Sequence, residues 1–278
     1  MSEYSIQMND QEFDRIYRYL KSRYGIDMSR KKEIMNGRME NFLRMSEWNS
    51  YTEFMNALEK DPTGNIEKKL VNLLTTNHTF FMRESEHFEY MKQQVLPWIK
   101  KKEASTRDVR IWCGASSTGE EPYVLAMVLS DFFGLEHERW DTAVLATDIS
   151  TDVLRRAMDG IYSAEQVEAL PDNWRRRFFR PLPGGEQYQA TEELKKGVLF
   201  RKFNLMDPFP FKRKMHAIFL RNVMIYFDDR TKLQLINKVY DALEPGGYLF
   251  IGRTETLERG STPFTMIKPS IFRKQEGI

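Results

Sequence analysis

The stretch Val109–Tyr123, VRIWCGASSTGEEPY, sets a run of small residues between a strand and a helix. Strand character covers Val109–Cys113, small residues fill Cys113–Gly119, and Glu120, Glu121 and Pro122 open the helix. A proline suits that first helical turn. This strand–loop–helix pattern lets a ligand lie against bare backbone, and its charge restricts which ligand. A pyrophosphate docks at a neutral or basic helix start. Two carboxylates there oppose it by about 3 kcal/mol per charge pair, at ~6 Å and an effective dielectric of ~20. S-adenosylmethionine (SAM) has no phosphate and carries a sulfonium and an ammonium, so the loop reads as a SAM cradle. An ordinary strand–turn–helix is the plain alternative, since an acidic start also complements the helix dipole.

Further positions agree with a SAM site. Asp148 ends a second strand in VLATDIS, where a carboxylate can accept both ribose hydroxyls of an adenosine. In KFNLMDPFP, Asn204 and Leu205 sit on a turn that could pinch adenine between an amide and an apolar side chain. Asn222 leaves a strand end in FLRNVMIYF, and Tyr226 follows it. Other chemistries find no support. The four histidines (His78, His87, His137, His216) are scattered and Cys113 is the only cysteine, so no metal site is expected. No serine occupies a G-x-S-x-G elbow.

The elements that must position these residues follow from the pattern. Helices are predicted over Asp10–Arg23, Arg30–Met45, Ser50–Leu58 and Asn65–Thr75, with N-caps at Asn9 or Asp10, Ser29 and Ser50. The second of these carries Arg30, Lys31, Arg38 and Arg44 on one arc and Met35, Met39, Phe42 and Leu43 on the next. The basic arc is either a solvated face or a surface for an acidic partner. Ser85–Lys100 is predicted as a connecting helix. Beyond it strands and helices alternate: strands at Val109–Cys113, Ala143–Thr147, Ala217–Leu220 and Tyr248–Ile251, and helices at Glu120–Phe133, from Thr151, and at Asp229–Ala242. A turn is expected at Leu243–Gly247 and a closing hairpin at Phe264–Phe272. This alternation predicts an α/β domain with a mainly parallel sheet. Ile161–Phe203, with its Pro-Gly-Gly turn, interrupts the alternation and reads as a small antiparallel insertion. The resulting division is a helical domain at 1–80, a linker helix at 81–100, and an α/β domain at 101–278 that holds an insertion at 162–203.

Composition narrows the class. The net charge of +2 over 278 residues gives no global pull toward nucleic acid. A single cysteine fits a reducing compartment. The N-terminal residues do not form a signal peptide, and no apolar run approaches a membrane span, so a cytoplasmic protein without membrane insertion is expected.

TTNHTFFMRE (Thr75–Glu84), the STGEEPY loop, ATDIS, RNVMIYF and LEPGGYLFIG occur in that order. Together they resemble the chemotaxis-receptor methyltransferases, the CheR family, over nearly the whole chain. The resemblance implies an N-terminal helical domain, a Rossmann-like SAM-binding domain and a small inserted β subdomain. It implies methyl transfer from SAM to glutamate side chains on the cytoplasmic helices of chemotaxis receptors. The products would be a glutamyl methyl ester and S-adenosylhomocysteine. By motif position, Asn77, Thr79, Arg83, Gly114, Glu120, Asp148, Asn204, Leu205, Asn222 and Val223 would line the cofactor. Arg83 and Tyr226 would be the catalytic pair, and Arg38 and Arg44 would belong to the helix that meets acidic receptor helices. Phe80 or Phe81 could offer a ring to the sulfonium. In some family members the inserted subdomain grips a receptor C-terminal peptide, a further candidate partner. Cys113 and Gly114 depart from the family loop but keep its size class. The rival readings are a SAM-dependent enzyme acting on RNA or a small molecule, and a non-catalytic SAM-sensing module.

Overall fold

Asn9 opens the first helix with a capping box: its side chain accepts the Glu12 amide at 2.9 Å, and Glu12 accepts the Asn9 amide at 3.1 Å. The computed structural model describes residues 7–75, 77–257, 260 and 262–276. Thr76 of the TTNHT motif and the first six residues lie outside the described residues. The described chain falls into two compact units. One spans the residues up to Thr75 together with Tyr226–Thr231, and the other holds Asn77–Ile225 and the residues from Lys232 onward.

The first unit contains α1 (Asp10–Tyr24), α2 (Lys32–Arg44), α3 (Tyr51–Lys60) and α4 (Asn65–Leu74). The start of α2 differs from the expected Ser29 cap. The Ser29 amide donates to Asp27 Oδ1 at 2.9 Å, which commits that residue to a turn, and Lys31 occupies the N-cap. Ser50 caps α3 as expected, accepting the Glu53 amide. Ile16, Leu20, Met35, Met39, Phe54 and Leu70 are fully buried and form the centre of this unit. Each such side chain contributes roughly 1.5–3 kcal/mol by leaving water. Residues 226–231 join it through the Asp27 amide, which donates to the Tyr226 carbonyl at 2.7 Å, and through a Lys21–Asp228 ion pair at 2.9 Å.

The second unit begins with α5 (Glu86–Tyr90), a π-helical turn at Met91–Val95, and α6 (Leu96–Lys102). The connecting helix is therefore interrupted at its middle. Then come β1 (Ile111–Gly114), α7 (Glu120–Phe133), β2 (Val144–Asp148), α8 (Thr151–Asp159), β3 (Ile161–Ser163), α9 (Ala164–Glu168), α10 (Asp172–Phe178), β4 (Phe179–Pro181), β5 (Gln187–Ala190), α11 (Glu192–Lys196), β6 (Val198–Lys202), β7 (Met215–Leu220), α12 (Asp229–Ala242, whose first residues belong to the helical unit), β8 (Leu243–Ile251), β9 (Thr265–Lys268) and β10 (Ile271–Arg273). Seven strands form one sheet in the order β6-β2-β1-β7-β8-β10-β9. The first five run parallel, while β10 is antiparallel to both of its neighbours. The chain moves outward from β1 in both directions, so strand order reverses between β1 and β7. Ligands of open α/β sheets bind at the carboxyl ends beside such a reversal.

Two local expectations change. Val198–Lys202 pairs in parallel with β2, Val144 opposite Val198, and so forms an edge of the large sheet. The inserted sheet is β3-β5-β4, closed by Tyr162↔Tyr188 and Phe179↔Ala190. Leu243–Gly247 is not a free turn. It enters β8 directly, because Met215 pairs with Leu243 while Ala217 pairs with Tyr248, and the surplus residues are absorbed in a bulge. The strands β1 and β7 are buried at every position, as befits a parallel sheet covered on both faces. Phe219 and Phe250 stack at 4.2 Å between centroids across β7 and β8. No helix among the described residues is long and apolar enough to cross a membrane.

Candidate active site

The loop after β1 turns by three left-handed residues: Ala115 (φ 61°), Ser117 (φ 49°) and Gly119 (φ 96°). At Gly119 glycine is required twice over. Its φ disfavours any side chain, and a Cβ would lie 2.9 Å from Ala157 Cβ and 3.0 Å from the Tyr162 hydroxyl. The non-glycine left-handed residues cost of order 1–3 kcal/mol each, and such backbone persists where its surroundings over-determine it. The fixing contacts are visible. The Ser116 amide donates to the Thr147 carbonyl at 2.9 Å, the Ser117 amide to Asp148 Oδ2 at 2.9 Å, and Tyr162 Oη to the Thr118 carbonyl at 2.7 Å.

Asp148 stands at the carboxyl end of β2, buried, with Oδ1 accepting the Ser150 amide at 2.9 Å. Both carboxylate oxygens thus hold backbone donors. Burial pushes this carboxyl above its ordinary value, against the pull of the Ser150 and Ser117 amides. Glu120 opens α7, 1% exposed, and accepts the Thr118 hydroxyl at 2.7 Å and the Gln166 amide at 3.3 Å. Burial raises it as well. Gly114 ends β1 opposite Thr147. The Asn77 carbonyl accepts Ser117 Oγ at 3.1 Å, which ties the segment before α5 to this loop. Thr79 is half-buried on the same segment.

Asn204 turns the chain after β6, with its Oδ1 accepting the Met206 amide at 3.1 Å, and Leu205 beside it is buried. Lys238 of α12 secures this turn, donating to the carbonyls of Leu205 (2.6 Å), Met206 (3.1 Å) and Asp207 (3.1 Å). Asn222 follows β7 at φ 56°, with Val223 half-buried after it. Its amide donates to Glu255 Oε2 at 2.8 Å. The same buried carboxylate also accepts the amides of Gly252 (2.6 Å) and Met224 (2.7 Å). Burial raises Glu255, with those amides opposing. Arg83 sits between two left-handed residues, Met82 (φ 61°) and Glu84 (φ 55°). Its Nη1 donates to the His78 carbonyl at 3.0 Å, and its guanidinium lies 5.8 Å from the Phe80 ring. Phe80 is 46% exposed, whereas Phe81 is buried among Tyr162 and Phe179 and serves the core.

The sequence-predicted residues thus divide. Gly114, Glu120, Asp148, Asn204, Leu205 and Asn222 occupy the carboxyl ends of β1, β2, β6 and β7 or the helix start beside them, and Asn77, Thr79, Arg83 and Val223 belong to the same unit. Tyr226, Arg38 and Arg44 belong to the helical unit. There the Lys31 ammonium lies 5.5 Å from the Tyr226 ring centroid. Arg38 Nη1 donates to the carbonyls of Leu74 (2.9 Å) and Thr75 (3.5 Å), closing the C-terminal end of α4. Arg44 is exposed and pairs with Glu40 at 2.8 Å.

Residues 11–75 match the family described as CheR methyltransferase, all-alpha domain, and residues 77–272 match CheR methyltransferase, SAM binding domain. The chain belongs to the CheR family. It is a SAM-dependent methyltransferase. A chemotaxis protein methyltransferase of Borreliella burgdorferi is 38% identical over 277 residues, covering 97% of this chain and 96% of its own. Those of Listeria innocua (34% identical, covering 89% and 92%) and Escherichia coli (32%, covering 96% and 92%) are similar over most of both chains.

The residues of this CheR chain fit the cofactor that the family binds. Ser116 Oγ is buried in the loop without a protein partner, as expected of a hydroxyl that a ligand completes. Asp148 keeps acceptor capacity toward a ribose, and the buried Glu120 suits an ammonium. Local pattern gave no sign of Arg221, Lys238 and Glu255. Each acts on a segment distant in sequence, and only Arg221, a charged residue directly after the apolar run of β7, carried a local signal that could have marked it.

Proposed function

We propose that this chain transfers the methyl group of SAM to glutamate side chains on the cytoplasmic helices of chemotaxis receptors, giving glutamyl methyl esters and S-adenosylhomocysteine. The family membership supports the receptor as substrate. The observation that carries the site is the buried pair Asp148 and Glu120, flanking a loop of left-handed small residues at the sheet's reversal.

A glutamate carboxylate, with an unperturbed pKa near 4.3, is already an anion at neutral pH. Transfer therefore calls for neither a general base nor a metal. Bound SAM would supply the methyl group to that carboxylate, its sulfur keeping the electron pair of the broken bond, and no proton needs to move. Opposite charges vanish in this step, so the protein's contribution is placement, which can supply roughly 7–11 kcal/mol. Asp148 would hold the ribose hydroxyls, Glu120 the ammonium, and Asn204 and Leu205 the adenine. Asn77, Thr79, Gly114, Asn222 and Val223 would complete the cofactor's lining. Arg83, with one donor on the His78 carbonyl, retains donors with which to steer the substrate carboxylate. The family resemblance gives Tyr226 the methyl pocket and Arg44 a contact with acidic receptor helices. The inserted sheet, with β3 and β4 as its edges, is where a receptor C-terminal peptide would bind. These roles place the reaction in the cytoplasm.

Radiolabelled SAM and receptor-bearing membranes test the assignment. Label released as methanol by mild alkali is the expected result. Alkali-stable label would overturn the carboxyl ester. SAM binding without incorporation across a panel of receptors would replace the enzyme with a SAM-sensing module.

A further inference from the structure

Arg221, the residue after β7, buries its side chain to 2% exposure and distributes its guanidinium over three acceptors. It donates to Glu121 Oε2 on the first turn of α7, to the main-chain carbonyl of Arg83, and to Glu84 Oε2 at 3.4 Å. Its carbon lies 5.5 Å from the Phe88 ring centroid. The polar contacts meet two segments that carry candidate site residues, Asn77–Glu84 and Glu120–Glu121, and Arg221 itself directly precedes Asn222 in the chain. Arg83 stands between Met82 and Glu84, both left-handed, and backbone of that kind stays in place only when other contacts fix it. The Arg83 carbonyl is fixed by Arg221. Glu84 is fixed a second time, its Oε1 accepting the Arg253 amide at 3.3 Å.

Stability alone does not account for such a group. Well-packed apolar residues often replace a buried ion network without loss, whereas a fork with several aimed donors sets geometry that no apolar side chain sets. We propose, building on the reading of Arg83 as the group that steers the substrate carboxylate, that Arg221 is the positioning residue for Arg83. In this reading Arg221 acts through Arg83 and not on substrate or cofactor directly. It holds the Met82–Glu84 turn against the start of α7 so that the Arg83 side chain leaves the turn in the direction that catalysis needs. A lysine retains the charge, but its single ammonium on a flexible stem cannot satisfy the Arg83 carbonyl and both carboxylates at once.

A double-mutant cycle on the full-length protein tests this, with kcat and receptor Michaelis constant measured on receptor-bearing membranes at saturating SAM. SAM Kd and Tm are read in parallel. Arg221→Lys is expected to lower kcat by about 10²-fold, the scale of an ångström-sized misplacement, while SAM Kd moves by less than about threefold. In an Arg83→Ala background the same substitution is expected to lower kcat by less than about threefold, because residues acting as one unit are not additive. An equal loss in both backgrounds would overturn the positioning role and leave Arg221 as a general support. An unchanged kcat in Arg83→Ala alone would instead overturn the reading of Arg83, and this inference with it. Should Arg221→Lys fail to fold, Glu84→Gln loosens the same clamp from the opposite side, and its cycle with Arg83→Ala decides by the same criterion.

Discussion

Glu255 Oε2 accepts the Asn222 amide at 2.8 Å across two segments that follow adjacent parallel strands, β7 and β8. With the Gly252 and Met224 amides it gathers three main-chain donors on one buried carboxylate. A glutamine offers one acceptor oxygen and an NH₂ that cannot accept. Glu255→Gln therefore leaves at least one buried amide without a partner, at a cost of roughly 1–3 kcal/mol. Thermal unfolding should show that loss, and titration calorimetry a weaker SAM affinity. Gly252→Ala disturbs the same cluster by steric overlap rather than by loss of an acceptor. Its Cβ would overlap Asn222 Nδ2 and lie 2.9 Å from Glu255 Oε2, so both side chains must move. SAM affinity should fall further than stability does, and an unchanged Kd would remove Asn222 from the cofactor site.

Arg38 and Arg44 lie on one helix but should respond differently. Arg38 donates to the last carbonyls of α4, and hydrogen bonds to charged groups contribute roughly 1.5–3 kcal/mol. Arg38→Ala should lower the unfolding free energy on that scale. The exposed Arg44–Glu40 pair is worth about 0.3–0.5 kcal/mol. Arg44→Glu should then raise the receptor Michaelis constant with little change in stability or SAM Kd. Unchanged receptor kinetics would return that face to a solvated role.

The pH dependence of SAM binding follows from Asp148 and Glu120. Burial raises both carboxyls, so each ionises at a higher pH in the folded protein than in the unfolded chain. Their ionised forms therefore cost stability above the raised values, a cost relieved as pH falls through them. Ligand affinity moves the opposite way, because hydroxyl and ammonium recognition needs the anions. SAM Kd should rise as pH drops through the raised pKa values. Calorimetry over a descending pH series should show this rise together with proton uptake or release on binding. Glu120→Gln should flatten part of the curve, and a flat curve in the unmutated protein would deny both carboxylates their role.

Local chemistry was legible in the sequence wherever a residue acts on its near neighbours. The helix at Glu120–Phe133, the helix at Asp229–Ala242, the Asn9 cap and the small-residue loop before Glu120 are read from periodicity, capping and side-chain size. The position of Asp148 at a strand end is also local, since strand pattern and loop chemistry meet there. The N-cap of α2 was misread because Asp27 and Ser29 form a turn that competes for the same residues. Residues 198–202 fall inside the expected insertion, yet Val198–Lys202 pairs with β2 in the large sheet, because local pattern does not name a strand's partner.

The sequence by itself determined the fold class, the small-residue loop before Glu120 and the family, because those depend on residue type, spacing and order along the chain. Tertiary structure alone decided what holds the candidate site in shape. Glu255 meets Asn222 only because β8 pairs with β7, and Lys238 reaches the Leu205 turn from α12. Arg221 meets Arg83 and Glu121 only because the chain returns from far along its length to the carboxyl ends of the strands. Such contacts join residues distant in sequence whose types are ordinary in isolation. Their chemistry arises from burial, which removes water as a competing partner and leaves each charged group to the acceptors or donors that the fold brings to it.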